Sequence, residues 1–125
     1  MVSYKELADR DLRAAKMMFD GEMYNQVVRF CQQYIEKMLK QVIFSEGSTD
    51  KDIVLLKSHK VATIAKRYEE ISGIKFTLDE IALFYQLTDY YFDTNYPGDD
   101  YVELSMEEAE EIYNKVLSMK EKFEL

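Results

Sequence analysis

Apolar residues recur every three or four positions along nearly the whole chain, and no strand-like alternation competes with them over a useful length. The first such stretch runs from about Tyr4 to Phe19, with Tyr4, Ala8, Leu12, Ala15 and Phe19 on one face, and Asp20-Gly21 breaks it. The second runs from about Glu22 to Phe44. Its stripe of Val27, Val28, Cys31, Ile35, Met38 and Leu39 is widened by Phe30, Tyr34 and Ile43. A stripe that wide on one helix implies neighbours on more than one side. At a rise of about 1.5 Å per residue the helix spans about 34 Å, enough to cross a small domain.

Ser45 to Lys57 reads as a loop, with Gly47, Ser48, Thr49 and Asp50 as its turn residues. Within it the run Ile53-Val54-Leu55-Leu56 either tucks into the core or begins the next helix early. Ser58 is the expected N-cap of a third helix carrying Val61, Ile64, Ala65, Tyr68 and Ile71 and ending near Gly73. Thr77 with Glu80 and Ser105 with Glu108 have the spacing of capping boxes and open a fourth and a fifth helix, the fourth with an expected core face of Leu78, Ile81, Ala82, Tyr85, Thr88 and Tyr91 or Phe92. Asn95-Tyr96-Pro97-Gly98-Asp99-Asp100 is the clearest loop between them. The pattern predicts an all-α, up-and-down bundle of about five helices, one domain over residues 1–125.

Composition supports that reading: four glycines and one proline in 125 residues leave little material for turns. The lone Cys31 permits no disulfide within the chain, and with His59 as the only histidine a conventional Cys/His zinc site within one chain is excluded. No metal or other cofactor is expected. Acidic residues outnumber basic ones 24 to 16, and a net charge of −8 opposes the counterion release that drives nucleic-acid binding. Direct nucleic-acid binding is therefore disfavoured unless a local basic patch or a basic partner supplies it. The charged N-terminus does not resemble a signal peptide, no run of about 18 apolar residues offers a membrane span, and a cytoplasmic location is expected.

Few residues are candidates for chemistry. His59 titrates in the useful range, but at a helix start it can equally fix the long second loop by hydrogen bonding. Gln33, Glu36 and Lys40 share a face of the second helix, with Glu36 and Lys40 in the favourable order for an ion pair. That set reads either as a solvated ion-pair stripe or as the polar floor of a groove between helices. Tyr85, Tyr90, Tyr91, Phe92, Tyr96 and Tyr101 make the fourth helix and its loop unusually aromatic. Acidic neighbours argue against base stacking there, and self-association is the better reading. The group Asp99, Asp100 and Glu103 lacks the ligand spacing of a calcium loop.

Several of these segments together resemble the HEPN domain, the higher eukaryotes and prokaryotes nucleotide-binding family. The resemblance is carried by Ala8-x-x-Asp11-Leu12-x-x-Ala15, by Gly21 and Tyr24 at the first turn, and by Gln32-Gln33-Tyr34-Ile35-Glu36-Lys37-Met38-Leu39-Lys40. His59 opening the next helix and Asn95-Tyr96-Pro97-Gly98 complete it, from about residue 4 to residue 120. The resemblance implies a helical bundle, a homodimer and a prokaryotic setting beside a minimal nucleotidyltransferase, in many cases as toxin and antitoxin. Active relatives are metal-independent ribonucleases using an Arg and a His four to six residues apart near the end of the fourth helix. Here no histidine follows His59, and the nearest preceding arginine is Arg29. The expectation is a non-catalytic binding or regulatory protein with a nucleotide groove at Gln33, Glu36, Lys40 and His59, with Tyr85 and Tyr96 nearby. Two alternatives remain open: a divergent ribonuclease using His59 with Arg29 or Arg67, and a purely structural dimer.

Overall fold

The computed structural model describes residues 1–124 and contains, among them, six helices and no strand. They are α1 (Tyr4–Asp20), α2 (Tyr24–Glu46), α3 (Asp50–Leu55), α4 (Val61–Ser72), α5 (Leu78–Asp93) and α6 (Met106–Phe123). The all-α bundle expected from the periodicity is what the chain forms. Among the described residues no helix is long and apolar enough to cross a membrane.

The long second helix organises the molecule. Val27, Val28, Cys31, Tyr34, Ile35, Leu39 and Ile43 are all buried, and α2 packs against each of the other five helices. Burial on several sides follows from its wide apolar stripe. It begins at Tyr24 rather than Glu22, because Glu22 takes a left-handed conformation with φ of 61° in the turn after α1. Gly47 ends α2 where a Cβ would lie 2.5 Å from the Ile43 carbonyl oxygen and 2.9 Å from the Asp52 carboxyl carbon. Only glycine lets the backbone turn that closely there.

Two expectations change in the segment that follows. The loop between Ser45 and Lys57 contains a helix of its own, α3, opened by Thr49 and Asp52 as a reciprocal capping box. Of its apolar run, Leu55 and Leu56 pack against the core, whereas Ile53 and Val54 are exposed. Ser58 is not the N-cap of α4; that position is Lys60, without a side-chain cap, and the Ser58 hydroxyl accepts from the Lys60 amide two residues on. The capping boxes at Thr77/Glu80 and Ser105/Glu108 form as expected, and Gly73 closes α4 in the left-handed conformation.

Candidate functional site

Midway along α2 the core stops being apolar. Gln32, Glu36 and Lys40 occupy successive turns on one face, and all three are buried. Burying a carboxylate requires donors on both oxygens. Glu36 Oε1 accepts from Lys40 Nζ at 2.6 Å and lies 3.1 Å from His59 Nδ1, while Oε2 accepts from Gln32 Nε2 at 2.9 Å. A carboxylate can only accept, so Nδ1 carries the proton in that contact and Nε2 is the ring nitrogen left without a partner. The His59 side chain is 64% exposed, so the network runs from the core to the surface in one step.

Above this floor lies a cavity of about 250 Å³ lined by Gln32, Gln33, Glu36, Lys37, His59 and Tyr91. The Tyr91 ring lies nearly parallel to His59, with centroids 6.3 Å apart, and forms the α5 wall. Lys37 brings a cation to the pocket and shares it with Asp11 of α1, a buried carboxylate. Gln32 Oε1 is buried without a partner among the described residues, an acceptor left over once Nε2 is committed to Glu36. A buried acceptor without a donor costs about 1–3 kcal/mol.

Of the expected site residues, Gln33, Glu36 and His59 line this cavity together. Lys40 lies below it, with its ammonium engaged by Glu36. Tyr85 lines a different groove, between α5 and α6. Tyr96 is in the loop after α5, its ring stacked on Phe92 at 6.4 Å. The aromatic wall is Tyr91, and the cation at the pocket is Lys37. The core face expected for α5 is overturned: Leu83, Phe84 and Leu87 are its buried residues, whereas Leu78, Ala82, Tyr85 and Phe92 are exposed, so the helix is rotated from the reading that put Tyr85 and Tyr91 together. Arg67 is committed elsewhere: it holds Asp52 bidentately, at 2.7 and 3.2 Å, and reaches Glu70 at 3.1 Å. Among the described residues no group of three or more His, Cys, Asp or Glu side chains could hold a metal ion.

The sequence matches the family model described as the HEPN domain over residues 1–124. The chain belongs to the HEPN family. No curated protein and no solved structure matches it. In this HEPN chain the signature segment of α2 therefore has a physical meaning: Gln32, Glu36 and Lys40 form the buried network, while Gln33 and Lys37 reach the cavity beside it. The family is nucleotide-related or ribonuclease-like, and the cavity offers donors, acceptors, a cation and a ring face within one small volume.

Proposed function

We propose that this HEPN chain is a non-catalytic binding or regulatory protein that holds part of a nucleotide in the Glu36–His59 cavity. The observation that carries the reading is the polar floor buried beneath that cavity, with an acceptor, Gln32 Oε1, still unsatisfied. Ligand pockets for drug-sized molecules start at about 300 Å³, so about 250 Å³ suits a phosphate or a base rather than a whole nucleotide. In this reading Lys37 and a protonated His59 Nε2 donate to phosphate oxygens, supported by their both lining the cavity, and Lys40 acts indirectly by holding Glu36.

Homodimerisation belongs to the same reading. The ring series His59, Tyr91, Phe92 and Tyr96 leads from the cavity onto the surface, and Phe92 and Tyr96 are both more than half exposed. A second copy seated on those rings closes the cavity mouth. Membership of the family supports a minimal nucleotidyltransferase as the further partner, in a toxin–antitoxin-type module. Native mass spectrometry of protein purified from its own host reads dimer, retained nucleotide and partner in one spectrum. Titration with mono-, di- and triphosphate nucleosides then tests the cavity. Affinity unchanged in both Lys37→Ala and His59→Ala removes it as the binding site.

One observation favours a second reading, a divergent metal-independent ribonuclease. Glu36 orients His59 with Nε2 outward, the arrangement a general base needs. Arg67, held by Asp52 and Glu70, is not placed to assist it. RNA cleavage in chelator that disappears in His59→Ala would establish this reading over the non-catalytic one.

A further inference from the structure

The α5 helix presents a second surface. Leu78, Tyr85 and Phe92 recur every seven residues on its outer side, with Ala82 and Asp89 between them. All five are exposed, Leu78 by 85% and Tyr85 by 62%. A heptad-spaced apolar row is what a helix offers to another helix, and among the described residues no element covers it. Beside the row α5 and α6 splay apart, leaving a groove of about 1090 Å³ floored by Ala82, Leu83, Tyr85, Tyr90 and Met119. At about 1.5 Å per residue α5 is about 24 Å long, a seat for a helix of four to five turns.

Charge selects the occupant. Asp79, Asp89 and Asp93 line the groove and form no ion pair among the described residues. The remaining acid, Glu80, is bonded to Lys122, and the one cation lining the groove, Lys115, is bonded to Glu111 at 3.0 Å. Three uncompensated carboxylates therefore border an apolar floor. A second copy seated face to face by two-fold symmetry would bring Asp79, Asp89 and Asp93 against their own kind, at a cost that like charges across an interface impose.

We infer that the α5–α6 groove docks an amphipathic helix of a different protein, one whose apolar stripe is flanked by lysine or arginine. Its apolar side chains lie on Ala82, Leu83 and Met119 and against the Tyr85 ring, and its cations meet Asp79, Asp89 and Asp93. The groove shares no lining residue with the Glu36–His59 cavity, so ligand binding there and helix docking here are tested apart. Phe92, at the end of the row, is the one residue also in the ring series offered to a second copy.

The probe is a fluorescein-labelled helical peptide of about 18 residues with leucine at heptad positions and lysine elsewhere, compared with the same pattern carrying glutamate. Anisotropy titrations use the whole chain in wild-type form and in three variants. Asp89→Lys with Asp93→Lys reverses the groove charge. Tyr85→Ala trims the apolar wall. Asp99→Lys with Asp100→Lys makes the same change of net charge on the exposed loop after α5, outside the groove lining. All of these positions but Asp93 are exposed, and circular dichroism checks that each variant is folded. The expected result is binding of the lysine peptide only, weakened about tenfold by the groove reversal, several-fold by Tyr85→Ala and less than about twofold by the loop reversal. Equal weakening by groove and loop reversals, or no effect of Tyr85→Ala, reduces the effect to net charge and overturns the inference. So does wild-type self-association in sedimentation that Tyr85→Ala abolishes, because the occupant is then a second copy.

Discussion

Replacing Lys40 with methionine tests whether the α2 network is the dry, fully engaged cluster that its geometry describes. Lys40 and Glu36 side chains are only 6% and 9% exposed, and their 2.6 Å contact is the shortest of the three to the carboxylate. Methionine preserves the stem and its packing but removes the ammonium. Glu36 is then a buried carboxylate held only by one amide and by the ring of a largely exposed histidine. Removing one partner of a buried pair costs about 3–5 kcal/mol. Because Gln32 and His59 still hydrogen-bond the carboxylate, the lower end, about 3 kcal/mol, is expected here. For a domain of this size each kcal/mol moves the thermal midpoint by about 4 °C, so Lys40→Met lowers it by about 12 °C. Adding Glu36→Gln restores more than half of that loss. A glutamine at this position can accept from Gln32 Nε2 and donate to His59 Nδ1, which leaves no buried charge. The assay is a double-mutant cycle by urea or thermal unfolding, followed by circular dichroism. A Lys40→Met midpoint within about 3 °C of wild type, or strict additivity in the cycle, would refute the buried pair.

Two further outcomes follow from the same coordinates. Asp52 is held well below the usual carboxylate range by the Arg67 guanidinium and by the Thr49 amide, so its folded form favours ionisation. A depressed folded value contributes stability that is present above the unfolded value, near pH 4, and is lost as pH falls through and below it. Asp52→Asn therefore flattens the acid limb of a stability-against-pH curve below about pH 4, and a limb as steep as that of wild type refutes the assignment. Tyr34 has the opposite problem: its ring is fully buried and its hydroxyl has no hydrogen-bond partner among the described residues. Tyr34→Phe removes an unsatisfied group and leaves the packing against Phe123 in place, so stability rises or holds within about 0.5 kcal/mol in chemical denaturation.

The helices most legible in the sequence are those with local signals. Thr77/Glu80 and Ser105/Glu108 need only residues three apart to cap α5 and α6, and Gly73 needs only its own freedom to end α4. The short α3 was hidden because six residues carry too little periodicity, and because its capping box uses Asp52 where Glu or Gln is usual. Its anchor, Arg67, lies fifteen residues away on another helix, a pairing that no local pattern encodes. The α2 polar set was legible as a shared face but not as buried or exposed. On a helix enclosed from several sides the charged face is not the solvent face, and only the packing of the His59 segment and α5 decides it. The aromatic residues show the same limit: their number pointed to α5, while helix rotation assigned Tyr91 to the cavity and Tyr85 to the outer groove.

The cavity is walled by α2, by the segment leading into α4 and by α5, elements that meet only in the native packing. The unfolded chain has no equivalent of it. Any molecule that fits is therefore linked to folding, and at about 100 times its dissociation constant it adds about 2.7 kcal/mol to the native state. That corresponds to a rise of about 10 °C in melting temperature, large enough to read in a dye-based screen of unlabelled compounds. The ligand can thus be sought without assuming its chemistry, using heat as the reporter and His59→Ala as the control that separates cavity binding from binding elsewhere.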